Sequence, residues 1–115
     1  MNESRLADEV SVAEIKRRLD SGDRLLLIDV REPGEFALAR IAGAELIPMR
    51  SVPGELNRLE ALAGEAPLIV YCHHGVRSLK VVHWLREQGI GACQSLAGGI
   101  DRWSQEIDPA VPRYS

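Results

Sequence analysis

The chain lacks several features that would assign it to a functional class at once. Its apolar runs are far shorter than the roughly 20 residues that a membrane-spanning helix needs. Its first residues have no apolar core of the kind found in secretion signals. Acidic residues number 17 against 14 lysines and arginines, for a formal net charge of -3, and no dense basic stretch is present. We therefore expect neither a membrane nor a nucleic acid as a partner.

Cysteine is also scarce. Only Cys72 and Cys93 occur, and without a secretion signal they indicate free thiols in a reducing compartment, so we expect a cytoplasmic protein. No Cys-x-x-Cys pair or spaced histidine pair accompanies Cys72-His73-His74, and we expect no metal and no cofactor. Internal repeats, low-complexity tracts and linkers are missing as well. The sequence therefore predicts a single domain over residues 1–115.

What the chain does contain is a regular alternation of short apolar runs and helix-period segments. The runs predicted as strands are 25–30, 44–47, 68–71 and 92–96. The segments predicted as helices are one that follows Ser11, a short one at Pro33, 51–63, 77–88 and a short one around Trp103. This order predicts an α/β fold, with a central parallel sheet flanked by helices on both faces. Ligands of such sheets bind beyond the carboxyl ends of the strands.

The most informative segment surrounds Cys72. The apolar run 67–71 leads directly into this cysteine, polar and glycine residues follow, and a helix is predicted from Arg77 to Gln88. The thiol thus lies among loop amides and at the positive end of a helix, and both favour the thiolate over the thiol. The alternative is an inert, buried cysteine at a strand end. We favour a reactive cysteine that handles a small anion.

Three sequence blocks resemble those of the rhodanese sulfurtransferases. The first is Asp29-Val30-Arg31-Glu32 with Glu35-Phe36, 41–44 and 47–48; the second is 72–78; the third is 96–100 with Trp103. They occur in the family's order and spacing, and the resemblance covers residues 8–114. One departure is visible, because Ala39-Arg40 stands where the family usually has Gly-His. The resemblance implies a single-domain member with the rhodanese-like fold.

The resemblance also implies a two-step sulfur transfer. The Cys72 thiolate attacks the outer sulfur of a small anionic donor such as thiosulfate, sulfite leaves, and Cys72 carries a persulfide. A thiophilic acceptor, such as cyanide or another thiol, then takes the terminal sulfur. Loop amides would hold this sulfur much as an oxyanion hole holds oxygen. Gly75 would provide the backbone angles that let several N–H groups converge.

The rest of the loop is predicted to bind substrate, and several side chains have two interpretations. The predicted binding residues are His73, His74, Gly75, Val76, Arg77 and Ser78. Arg77 either offers its charge to an anionic donor, which we favour, or pairs with a carboxylate. His73 and His74 either contact substrate or supply only backbone amides while their rings face solvent. Ser78 either contacts substrate or caps the helix.

Two further features are predicted to support the site. Asp29 and Arg31 are expected to form an ion pair near the loop. Cys93 lies in a predicted core strand, where a small buried hydrophobe is the favoured interpretation. The alternative for Cys93 is a second thiol that accepts sulfur from Cys72 or forms a disulfide with it.

Three other functions compete with small-molecule sulfur transfer. Cysteine phosphatases and arsenate reductases need five residues between cysteine and arginine to hold a tetrahedral oxyanion, whereas four lie between Cys72 and Arg77. A binding module is typical of rhodanese-like domains that have lost the cysteine, which is present here. A sulfur relay with a protein donor or acceptor is the third, and the ending Val111-Pro112-Arg113-Tyr114 is similar to that of rhodanese domains fused to adenylyltransferases.

Overall fold

A computed structural model describes residues 6–115. Within these residues, five strands alternate with five α-helices, and one 3-10 helix is present. In chain order they are β1 Glu9–Val10, α1 Val12–Asp20, β2 Leu26–Asp29, α2 Pro33–Leu38, β3 Glu45–Leu46, the 3-10 helix Met49–Glu55, α3 Leu56–Ala63, β4 Leu68–Tyr71, α4 Val76–Glu87, β5 Cys93–Leu96 and α5 Gly99–Glu106. Within the described residues, no helix combines the length and apolarity needed to cross a membrane.

The strands form one parallel sheet in the order β1-β5-β4-β2-β3. Side chains along β2 and β4 alternate between two apolar clusters, as the two-residue period of a strand requires. One cluster includes residues of β2, β4, α3 and α4, namely Ile28, Val70, Leu59 and Val82. The other includes residues of α1, β2, β4 and α5, namely Ile15, Leu27, Ile69 and Trp103. The predicted α/β architecture, with a parallel sheet between helices, is confirmed.

Two local predictions need correction. The segment 51–63 is not one α-helix, because a 3-10 helix over Met49–Glu55 precedes α3. Pro53 lies inside this 3-10 helix and has no N–H to donate, and Gly54 has low helix propensity, so the regular α-helix begins only at Leu56. The strand β1 was not predicted, because two residues are too few to show a periodic pattern. It pairs with β5 in the sheet.

The register of the sheet brings three loops to the same edge. Asp29 of β2 lies opposite Tyr71 of β4, and Val70 lies opposite Ser95 of β5. The segments that follow these strands therefore leave the sheet side by side. Cys72 follows β4 directly, so it lies at the carboxyl end of the sheet, as predicted.

Candidate active site

The thiol of Cys72 lies in front of the first turn of α4. Its Sγ accepts hydrogen bonds from the backbone N–H of Gly75, at 3.1 Å, and of Ser78, at 3.3 Å. These amides belong to the N-cap residue and to the first turn of a 12-residue helix, where the helix dipole is positive. Cys72 itself is only 1% exposed. The sulfur is thus held by donors that stabilise negative charge.

The backbone of the loop is fixed by a second helix. The N–H of Ile100 donates to the carbonyl oxygen of Cys72, at 2.9 Å, and the N–H of Asp101 donates to that of His73, at 3.1 Å. Gly99, with φ of +63°, lets α5 begin this close, because a Cβ there would lie 2.5 Å from the Cys72 carbonyl oxygen. The carbonyl groups therefore turn toward α5. Gly75 also has a positive φ, of +102°.

A pair of buried hydroxyl groups lies behind the sulfur. The Oγ of Ser78 is 3.4 Å from the Cys72 Sγ and 2.7 Å from the Oγ of Ser95 on β5. Ser78 and Ser95 are both fully buried. When Ser95 donates to Ser78, the Ser78 proton is free to point at the sulfur. Ser78 therefore contacts the reacting atom and does not cap α4 with its side chain.

Arg77 forms a two-pronged ion pair with Glu35 of α2. Its Nη1 and Nη2 donate to the two carboxylate oxygens at 2.8 and 3.0 Å. These hydrogen bonds raise the pKa of Arg77, and the bond from Arg77 is the main reason that the pKa of Glu35 falls to about 2. The arrangement matches the alternative in which Arg77 pairs with a carboxylate.

Tyr114 connects this ion pair to a second, buried one. Its hydroxyl donates to Glu35, at 2.8 Å, and accepts from Nη1 of Arg31, at 2.9 Å. Arg31 is fully buried, pairs with Asp29 at 2.6 Å, and also donates to the carbonyl of Ala39. Burial alone would lower the pKa of Arg31, but the bonds to Asp29 and Tyr114 raise it. Asp29 and Arg31 thus form the expected pair.

The two histidines of the loop differ in their surroundings. The ring of His73 stacks on that of Tyr114, with centroids 3.9 Å apart and an interplanar angle of 10°. Burial and the neighbouring His74 lower the pKa of His73, which favours its neutral form. The side chain of His74 is 61% exposed, and its Nδ1 is 3.9 Å from Asp101. The imidazole of His74 is therefore the more accessible one.

Other features lie away from the loop. Cys93 is fully buried, its Sγ lies 3.4 Å from the carbonyl of Ile90, and burial raises the pKa of its thiol. Both features fit the favoured interpretation of a small buried hydrophobe.

A cavity of about 770 Å³ is lined by residues that include Asp8, His83 and Arg86, and by none from 72–78. The chemistry of the thiol, and not the size of a cavity, identifies the site.

Sequence reasoning assigned no role at this site to Ser95, Gly99 or Tyr114, and none to Glu35 beyond its place in a signature block. A signal existed only for Gly99, since a Gly-Gly pair before a helix indicates a close backbone approach. The roles of Ser95, Glu35 and Tyr114 depend on contacts with residues 17 to 83 positions away. Each of these residues contacts a residue of the 72–78 loop, whose amides donate to the Cys72 sulfur.

Comparison with known proteins indicates the same family by sequence and by structure. The family model described as Rhodanese-like domain matches residues 11–106. A sulfurtransferase from Allochromatium vinosum is 30% identical over 106 residues, covering 92% of this chain and 96% of the relative. An adenylyltransferase and sulfurtransferase from Zea mays, MOCS3-2, is 35% identical over 109 residues, covering 91% of this chain and 23% of the relative.

The solved structures agree with this assignment. A rhodanese-like domain protein from Staphylococcus aureus has a TM-score of 0.78 and 30% identity, and the match covers 95% of this chain and 100% of that one. The chain spans about a quarter of the length of the relatives that combine adenylyltransferase and sulfurtransferase in their names. With the family model, the single-domain relative and the fold in agreement, the chain belongs to the rhodanese-like domain family.

Proposed function

We propose that the protein is a sulfurtransferase that carries a sulfane sulfur as a persulfide on Cys72. The observation that carries the proposal is the pair of hydrogen bonds from the Gly75 and Ser78 amides to Sγ. Such donors favour the thiolate needed for attack, and a second sulfur bonded to Sγ would extend among loop amides. The sulfurtransferase names of relatives that span the same length support the same activity.

The first half-reaction loads the cysteine. The Cys72 thiolate attacks the outer sulfur of a donor such as thiosulfate, a new S–S bond forms, and sulfite leaves with the electron pair of the broken bond. The Ser78 hydroxyl and the two amides then share the charge of the persulfide. In the second half-reaction, cyanide or another thiol takes the terminal sulfur and regenerates the thiolate.

The physiological partners belong to this proposal as well. The names of the Zea mays relative and of a Mycobacterium tuberculosis relative couple a sulfurtransferase with an adenylyltransferase. A protein donor or acceptor of sulfur is therefore included beside thiosulfate, cyanide and small thiols. We also propose a cytoplasmic location, because Cys72 and Cys93 are both free thiols, as is usual in a reducing compartment.

The test is intact mass after incubation with thiosulfate, followed by detection of thiocyanate when cyanide is added. We expect a gain of one sulfur at Cys72 and its loss to cyanide, with neither event in Cys72→Ser. A wild-type protein that gains no sulfur from thiosulfate, from a thiol persulfide or from a protein-bound persulfide would refute the proposal and favour a binding module. Hydrolysis of an aryl phosphate at least as fast as sulfur transfer would favour a phosphatase instead.

A further inference from the structure

The charge of Arg77 is already balanced inside the domain. Both terminal nitrogens of its guanidinium donate to Glu35, and the two side chains are only 33% and 22% exposed. A two-pronged pair of this kind fixes the orientation of the guanidinium as well as its charge. Arg77 therefore presents no uncompensated charge to an incoming anion.

Glu35 is itself held in place by contacts from two further directions. One carboxylate oxygen accepts from the N–H of Glu32 at the start of α2, at 3.0 Å. The other accepts from the hydroxyl of Tyr114, at 2.8 Å. The bond from Arg77 acts first, and those from Glu32 and Tyr114 add to it, in holding the pKa of Glu35 near 2. The carboxylate is therefore charged at every pH at which the protein would work.

Two further guanidinium groups, each joined to a residue that contacts the loop, are paired too. Arg31 pairs with Asp29 at 2.6 Å, and Arg113 pairs with Asp101 at 2.9 Å. His73 has a lowered pKa and does not add a positive charge near neutral pH. Within residues 6–115, the sulfur thus contacts two backbone amides and the Ser78 hydroxyl, while Arg77, Arg31 and Arg113 are each paired with a carboxylate.

We propose that Glu35 is a specificity-determining residue. By cancelling the charge of Arg77, it makes the site prefer a sulfane donor of low charge, such as a thiol persulfide R–S–SH, over the thiosulfate dianion. This rests on the sulfurtransferase activity proposed above. In the step, the Cys72 thiolate attacks the outer sulfur, the R–S–SH sulfur–sulfur bond breaks, and R–S⁻ leaves with the bonding pair. The proton stays on the transferred sulfur, so the products are the Cys72 persulfide and a thiolate.

The first measurement needs no sulfur transfer. Iodoacetate and iodoacetamide alkylate a thiolate by the same displacement but differ by one negative charge, so the ratio of their rates at Cys72 reports the local charge. Glu35→Gln removes the negative charge that balances Arg77 and keeps a side-chain oxygen for the N–H of Glu32. Glu65→Gln is the matched control, because it also leaves 16 acidic residues against 14 basic ones, for a net charge of -2, and removes an exposed partner of Arg24.

We expect the iodoacetate to iodoacetamide ratio to rise about threefold in Glu35→Gln and to stay unchanged in Glu65→Gln. The rate at which thiosulfate loads Cys72 should rise about tenfold, because a dianion interacts twice as strongly as a monoanion with the unbalanced charge of Arg77. Loading by 2-hydroxyethyl persulfide should change by less than about twofold. Both increases should shrink in about 0.5 M salt, since screening acts on charge and leaves a structural effect in place.

Arg77→Gln provides the opposite perturbation. It leaves the Glu35 carboxylate without its cation, so the alkylation ratio should fall about threefold below that of the wild type. An unchanged ratio in both variants would overturn the proposal, and so would changes that salt does not reduce or a parallel slowing of both reagents. If the ratio responds as expected but neither the wild type nor any variant takes sulfur from either donor, transfer from small donors and the donor preference both fail, and only the charge pairing stands.

Discussion

Replacement of Gly99 by alanine gives the sharpest test of how the loop is held. Gly99 has a φ of +63°, which costs a residue with a side chain about 1–2 kcal/mol. A Cβ would lie 2.5 Å from the carbonyl oxygen of Cys72 and closer still to that of His73. These are backbone atoms, so no side-chain rotation relieves the collision, and the start of α5 must move away from the loop.

The magnitude follows from what this movement breaks. The hydrogen bonds from the amides of Ile100 and Asp101 to the two carbonyl groups contribute about 0.5–1.5 kcal/mol each. Together with the backbone term, Gly99→Ala should lower the free energy of unfolding by about 2–5 kcal/mol. Gly89→Ala is the matched control, because Gly89 has a φ of +96° and no atom within 4 Å of the added Cβ. It should lose only the backbone term, about 1–2 kcal/mol.

Urea unfolding at neutral pH measures both free energies, and alkylation of Cys72 under native conditions reports the loop. Gly99→Ala should lose about 1–3 kcal/mol more than Gly89→Ala and alter the alkylation rate, because the amides that contact Sγ lie in the displaced loop. If the two variants agree within about 0.5 kcal/mol, α5 yields without strain, and the reasoning about the close approach is wrong.

Three further outcomes are expected. Tyr114→Phe keeps the ring on His73 but removes the hydroxyl between Arg31 and Glu35, so urea unfolding should show a loss of about 1.5–3 kcal/mol; a loss below 0.5 kcal/mol would contradict that bridge. Cys93→Ser should load sulfur within about twofold of the wild-type rate, because its thiol is buried away from the loop; inactivity would instead support a two-thiol relay. The folded-state pKa of Glu35 is about 2 against an ordinary 4.5, so the unfolded chain binds more protons between these values. The contribution of Glu35 to the free energy of unfolding should be fully present above pH 4.5 and be lost as the pH falls toward 2. The melting temperature should therefore fall less steeply over this range in Glu35→Gln than in the wild type. Equal slopes for the two proteins would contradict this.

The local parts of the site could be predicted because their residues are neighbours in sequence. Strand, cysteine, loop and helix follow one another from residue 68 to 87, so the position of Cys72 before a helix N-terminus needed no knowledge of the fold. The parallel sheet also followed from the alternation of elements. The division of 49–63 into a 3-10 helix and α3 did not, because the apolar positions fit a helical period while Pro53 and Gly54 changed the hydrogen bonding.

The surroundings of the loop could not be predicted, because they depend on distant residues. A charge on Arg77 is visible in the sequence, but its partner is 42 positions away, and only the structure shows that the charge is balanced. Ser95 looks like any small residue of a core strand until β5 places it beside Ser78. Tyr114 lies in a segment that has no regular secondary structure.

The position of Tyr114 along the chain has a consequence for the order in which the site matures during synthesis. Its hydroxyl bonds to Arg31 and Glu35, which leave the ribosome 83 and 79 residues earlier. Until Tyr114 emerges, the guanidinium of Arg31 lacks a partner that it has in the finished domain, and His73 lacks the ring of Tyr114 that stacks on it. A nascent chain can therefore hold all five strands of the sheet before Tyr114 braces the Cys72 loop. Control of the thiol's surroundings is then acquired only after the strands of the sheet have been synthesised.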